Sequence, residues 1–349
     1  MTRPLQADRR KRPGSSPVRI GAAGVALLLA LSGAAIAEDG GRGIGYAAAG
    51  PIFELPAGVS VERQQVRVST YSVELTYVFR SSGRHDIHFG FVMPEMPVDA
   101  SPDAIGVAEG DEAAGLAADT RPVNYLDLSV AVDGRALALA GQGRALFEGR
   151  DVTRHLLDAG VPLLYDLVGE TPWRHLAPRA QAMLDAGGLL SVDAAMWSYQ
   201  ASFAWDAVIG PGETRMEVRY LPSAAYWSDI TLDAFAEMAS EGSAARTYCI
   251  DDAVRRAFLS GRHHYELYTV THLAAPPGGW RGPAGRYRLV VDKEHATDLV
   301  AFCPLAARKV SPTRFEWTAS GYMPGEAVGV LFFWDTEAQS PDGEARREK

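Results

Sequence analysis

The chain has 349 residues, a formal charge of −9 and 22% charged residues, enough for one large domain or two ordinary ones. An acidic balance with no basic stripe argues against nucleic acid and anionic lipid as partners. The only cysteines, Cys249 and Cys303, have no histidines close by in sequence, which makes a poor zinc site. No metal or cofactor is expected.

Residues 1–37 read as a leader. Arg3, Arg9, Arg10, Lys11, Arg12 and Arg19 form a charged segment. Ile20 to about Leu31 is apolar, and Ala35-Ile36-Ala37 is a small-x-small cleavage site. The apolar run is well short of the ~20 residues of a bilayer-spanning helix, so cleavage is expected between Ala37 and Glu38. The general secretory route fits better than the twin-arginine route that Arg9-Arg10 also suggests. No later stretch is apolar enough to span a membrane, so no stable insertion should follow cleavage and the product is periplasmic or secreted. It would hold 312 residues and a charge of −14, because the leader carries six basic residues and one acid. In that oxidising setting an even pair of cysteines favours a disulfide.

Strand signals dominate the rest. In 66–79, Val66 and Val68 lie on one phase, and Tyr71, Val73, Leu75, Tyr77 and Phe79 on the other. The switch at Ser69-Thr70 predicts a bulge or a bend. A turn at 81–84 leads to Ile87, Phe89, Phe91 and Met93, which predicts a hairpin ended by Pro94 and Pro97. Residues 99–121 have no period and predict a long acidic loop. Alternation from Leu126 to Val132 meets Asp133-Gly134, a type I′ turn signal, with a return strand around Leu137 and Leu139.

The middle reads as helical: Asp151 to Leu157, and Pro178 to Ala186, stopped by Gly187-Gly188. Alternation resumes at Trp197–Trp205, turns at Gly210-Pro211-Gly212, and returns through Met216, Val218 and Tyr220. A third helix is expected from Asp251 to Leu259, ended by Gly261. Strands follow near 264–272, 285–292, 299–303, 313–318 and 327–334, then a polar, disordered tail at 336–349. The fold expected is mainly β: antiparallel β-sandwiches with a short helical insertion at about 150–190. A first β region covers 38–245. A second, packed on or continuous with it, covers 246–335.

Candidate chemistry is sparse. No nucleophile elbow, phosphate loop, dinucleotide fingerprint or His-Glu-x-x-His occurs. His85 and His88 are three apart on a strand and point to opposite faces. His155 and His175 sit in helical segments. His264 and Glu266 would share a strand face beside His263, the spacing of two ligands or of a base–acid pair. Glu109, Asp111 and Glu112 lack the oxygen spacing of a calcium loop.

Several runs carry a family resemblance. They are Glu62 before VRVSTYSVELTYVF, FGFVMPEMP at 89–97, YLDLSVAVDGRAL, Tyr248-Cys249, YRLVVDKEHATDLVAFC at 287–303 and KVSPTRFEW at 309–317. The mature chain resembles the exported bacterial family known as domain of unknown function 4424. The resemblance implies cysteines at matching positions, and hence Cys249 paired with Cys303; the family has no established activity to carry over. EDGGRGIGYAAAG departs from its usual mature start, and the acidic loop is longer. The expected function is a non-enzymatic periplasmic binding or interaction module. The alternatives are a hydrolase or metal-dependent enzyme at His263–Glu266, and an envelope-assembly accessory docking a protein partner near Trp173 or Trp280.

Overall fold

The computed structural model describes residues 48–97, 123–161, 163, 177–191, 194–222, 224–227, 230–231, 235, 248–260, 264–273, 280, 282–303, 306–323 and 327–339. The leader with Ala37 and Glu38, the acidic segment 99–121, Trp173, His175, Gly261, His263 and residues 340–349 lie outside them. The fold is mainly β with a small helical part.

The first strands differ from expectation in an instructive way. Strands β2 (Val59–Val68) and β3 (Val73–Ser81) form an antiparallel hairpin. The phase switch at Ser69-Thr70 is thus a turn between two strands rather than a bulge within one. Ser69 Oγ accepts the Ser72 backbone N–H at 2.9 Å, and the Ser69 N–H binds the Ser72 carbonyl. Tyr71 lies in this turn and is 38% exposed, outside the inward stripe it was expected to join. The real bulge falls between Val61 and Arg63, where Glu62 is the extra residue. It shifts the phase so that Gln64 points inward and is buried.

β3 and β4 (His85–Val92) are not the expected hairpin. Instead, β4 pairs with β12 (Ser198–Ile209) in a different sheet, and β3 pairs with β13 (Gly212–Tyr220). The turns at 81–84 and 210–212 therefore carry the chain between layers. Both flanking strands of each turn can then aim their apolar sides into one shared core.

The sheets follow from this. Eight strands run in the order β18 (Arg308–Ser311), β19 (Arg314–Tyr322), β16 (Ala284–Asp292), β2, β3, β13, β6 (Ser129–Val132) and β7 (Arg135–Ala136). The β6–β7 turn has Asp133 at φ 48° and Gly134 at φ 77°, the backbone of the expected type I′ turn. One five-stranded sheet holds β4, β12, β8 (Ala140–Phe147) and β9 (Arg150–Asp151), with β5 (Met96–Pro97) also on β12. The other holds β1 (Ala48–Ala49), β15 (Tyr265–Leu273), β20 (Val328–Asp335) and β17 (Leu299–Phe302), with β14 (Ala224–Trp227) on β15. A small ribbon joins β10 (Leu190–Ser191) to β11 (Ala194–Ala195). Strands from both sides of residue 245 share the eight-stranded sheet and the second five-stranded one.

Both five-stranded sheets contribute to one core with the inner face of the large sheet. Phe91 meets Tyr220 at 5.4 Å between ring centres, and Phe302 meets Phe315 at 6.0 Å. Phe53 lies within 5.8 Å of Tyr77, Phe79, Phe89 and Trp280. Its segment joins the smaller sheets: Ala48–Ala49 pair with β15, and Ile52 bridges Gly90 of β4. β8 carries little apolar signal because of Gly141 and Gly143, which leave room for the Phe203 and Tyr199 rings.

Helix α1 (Thr153–Asp158) starts after Val152, and Asp151 instead accepts the Thr153 N–H at 2.9 Å. α2 (Pro178–Ala186) begins on proline as expected, and Gly188 follows it at φ 68°. α3 (Asp252–Leu259) is capped by Asp251, which accepts the Val254 N–H at 2.8 Å. α3 lays Phe258 on a second core with Phe235, Leu331 and Phe333. The start of the expected disordered tail is ordered as α4 (Thr336–Gln339). It holds there because the Thr336 N–H and hydroxyl bind the His264 carbonyl, and Asp335 accepts the Glu337 N–H.

Candidate functional site

The outward side chains of the eight-stranded sheet form cross-strand rows. In one row Arg286 stands opposite Arg63, Arg63 opposite Val78, and Val78 opposite Arg215. The next row reads Arg288, Gln65, Thr76 and Glu217. Long arginines thus flank the short Thr76 and Val78, and a concavity of about 710 Å3 opens between them, reaching Asp133, Glu213 and Ser320 at its rim.

The bulge shapes one end of it. Gly285 lies so close to Glu62 that a Cβ there would sit 2.7 Å from the Glu62 carbonyl oxygen. Glu62 accepts a hydrogen bond from Arg80, which holds its carboxyl below the usual range. Arg80 also reaches Glu213 at 2.8 Å, and Glu213 binds Arg63 at 2.7 Å. Arg215 pairs with Glu217 at 2.7 Å, and Arg288 with Glu316 at 2.5 Å. Such exposed pairs contribute ~1 kcal/mol at most. Arg286 makes no hydrogen bond or ion pair among the described residues.

A second polar cluster lies in the loop 292–298, inside the run that carries the family resemblance. Asp292 binds Arg67 at 2.5 Å and Arg314 at 2.6 Å. Burial works to raise its carboxyl, but those hydrogen bonds bring it below the usual value. Lys293 is buried; its Nζ donates to the Ala296 carbonyl at 2.7 Å and to the Asp298 carbonyl. Burial lowers the Lys293 ammonium to about 8. Asp298 accepts the backbone N–H groups of His295 and Asp335, yet burial still raises its carboxyl. This network closes the loop onto β20, and its bonds run mostly to backbone, the pattern of a structural staple.

A third set is fully interior. Gln64 donates to the Tyr77 hydroxyl at 3.2 Å, and the Tyr220 hydroxyl lies 2.8 Å from His272 Nδ1. Burial raises both phenols and lowers the His272 imidazole to about 4. Among the described residues His272 Nε2 has no hydrogen-bond partner.

The residues singled out from sequence fall elsewhere. His264 is exposed ahead of β15, and Glu266 sits in register opposite Trp334, in the phase of Tyr268 and Val270. Neither lines the concavity. Among the described residues no group of three or more His, Cys, Asp and Glu could hold a metal ion. His88 pairs with Asp206 at 2.9 Å on an exposed face. His155 is exposed on α1, and Trp280 stacks on Phe53. Cys249 and Cys303 are joined, with Cα atoms 5.3 Å apart, tying the segment before α3 to the end of β17. His272 and the arginine row were missed. Only the phase of β15 marked His272 as inward, and nothing local marks arginines from three strands as near neighbours across the sheet.

Fold and site together define a layered β-sheet protein with a charged, concave outer face. The chain belongs to the family described as domain of unknown function (DUF4424), whose profile matches residues 37–331. No curated protein matches it. A solved chain from Legionella pneumophila subsp. pneumophila str. Philadelphia 1, provisionally described as a nutrient binding protein, is 10% identical with a TM-score of 0.44. That likeness covers 88% of this chain and 80% of the other, and at that level it carries no argument about fold or ligand.

Proposed function

We propose that the protein is an exported, non-enzymatic binding or interaction module that acts outside the cytoplasm and uses the outer face of its eight-stranded sheet. The observation that carries this is the concavity between the arginine rows. An outer sheet face with no role needs only scattered polar residues. This one has a shaped floor and is built on a bulge and a close-packed glycine. Export is supported by the leader-like residues 1–37, by the family match starting at residue 37, and by the joined cysteines.

Two measurements test this. N-terminal sequencing of the protein recovered from the envelope fraction of a bacterial host should begin at Glu38; recovery of uncleaved chain from the cytoplasm would refute export. For the face, Thr76→Arg fills the floor while staying polar. Tagged protein recovered from the native envelope should carry a ligand or partner that the variant loses. Identical recoveries from both, with equal melting points, would overturn the assignment of this face.

A further inference from the structure

We infer that the core between the sheets contains a binding site for water, walled by Gln64, Tyr77, Tyr220 and His272. It is separate from the outer face and stands or falls independently of it. Gln64, Tyr77 and Tyr220 point inward from β2, β3 and β13, and His272 from β15; each is at most 2% exposed. Their neighbours on the same inward faces, Val66, Leu75 and Val218, are buried and apolar. Gln64 takes its inward place because the Glu62 bulge shifts the phase of β2. Amides, phenols and imidazoles are costly in such surroundings unless hydrogen-bonded, and native interiors leave few of their polar atoms unpaired.

These four groups fall short of full pairing whichever way their protons are placed. Gln64 Nε2 donates to the Tyr77 hydroxyl at 3.2 Å. That hydroxyl still has its own proton to give, and Gln64 Oε1 has no partner among the described residues. Turning the amide round lets Tyr77 donate to Oε1, but it strands both amide N–H groups. The Tyr220 hydroxyl and His272 Nδ1 share one hydrogen bond of 2.8 Å. If the phenol donates, His272 Nε2 carries a proton with no acceptor. If Nδ1 donates, Nε2 is an acceptor with no donor, and the phenol proton is unspent.

Water answers both shortfalls, because it donates and accepts. One molecule can take the Tyr77 proton and give one to Gln64 Oε1, and water at Nε2 serves either tautomer of His272. A charged ligand has no counterpart here. Burial lowers the His272 imidazole to about 4 and raises both phenols, so all four side chains are neutral at neutral pH. The two pairs lie within each other's field: after burial, Tyr77 is what raises the Tyr220 phenol. The Tyr220–His272 bond also crosses from the eight-stranded sheet to β15, so the hydrated groups tie two layers together.

A crystal structure of the purified protein at neutral pH, at a resolution that shows ordered solvent, tests this directly. It should show water within hydrogen-bond distance of the Gln64 amide and the Tyr77 hydroxyl, and water on His272 Nε2. Ordered side chains with no water at either place would overturn the inference. Water magnetic relaxation dispersion, which counts long-lived internal waters in solution, gives a second reading. Gln64→Leu combined with Tyr77→Phe keeps the apolar volume and removes the polar atoms, so the variant should hold at least one internal water fewer than the parent. Equal counts in the two folded proteins would also overturn it. Should the double variant not fold, Tyr77→Phe alone is compared in the same way, and the parent crystal structure decides in any case.

Discussion

His272 should make the stability of this protein acid-sensitive in a defined window. The ring is fully buried, its Nδ1 lies 2.8 Å from the Tyr220 hydroxyl, and its Nε2 has no partner among the described residues. A second proton would therefore be placed in the core without a counter-charge, and burial lowers the imidazole from 6.5 to about 4. The unfolded chain takes up that proton near the ordinary value, and the folded chain only near the lower one. The unfolded state thus binds more protons between them, and stability falls as pH falls through that window. The contribution is present in full above the ordinary value and lost once pH passes below the folded one. At ~1.4 kcal/mol per pH unit it amounts to about 3 kcal/mol, a large share of a domain's typical ~5–15 kcal/mol. Asp298, with its raised carboxyl, has the opposite sign, and the lowered Asp292 and Glu62 act at more acid pH. The group is isolated by comparison with His272→Asn, which keeps a polar atom near Tyr220. Urea denaturation from pH 4.5 to 8 should show a steeper pH dependence in the parent than in the variant. Equal slopes would refute the assignment of a neutral buried imidazole.

Four further outcomes are expected. Phe53→Ala should cost ~3–5 kcal/mol by chemical denaturation, because Phe53 joins aromatic residues of two sheets and Trp280; a loss under ~1 kcal/mol would mean the core closes over the gap. Gly285→Ala should cost ~1–3 kcal/mol, since its Cβ would meet the Glu62 carbonyl at 2.7 Å and backbone must move; an unchanged melting point would show that the bulge yields freely. Lys293→Met should destabilise by ~2–4 kcal/mol, leaving the Ala296 and Asp298 carbonyls without their donor, and a neutral result in denaturant titration would rule out the staple role. Cys249→Ser with Cys303→Ser should cost ~2–4 kcal/mol for the 54-residue separation. Non-reducing peptide mapping of the parent that finds two free thiols would remove the bridge.

Much of the fold was legible locally, because the signals are short-range. Asp133-Gly134 selects its turn by backbone sterics, Pro178 and Gly188 bound α2, and Asp251 caps α3. The inward phases of β3, β12 and β13 follow from alternation alone. Strand partners were not legible. The turns at 81–84 and 210–212 look like hairpin turns, yet each crosses between layers, because the choice depends on which strands arrive beside β3 and β4 from much later in the chain. β8 was hidden by Gly141 and Gly143, whose reason for being small lies on β12.

The site divides the same way. His264 and Glu266 stood out because two chemically able residues were close in sequence, and the fold gives them no third partner among the described residues. Arg63, Arg215 and Arg286 lie far apart along the chain and acquire meaning only through register. By itself the sequence determined the β class, the cysteine pair and the local caps, since each was legible from residue type and short-range pattern. The tertiary structure alone decided the layer crossings, the buried His272 and the arginine row, because a cross-strand neighbour is set by hydrogen-bonded pairing of distant segments.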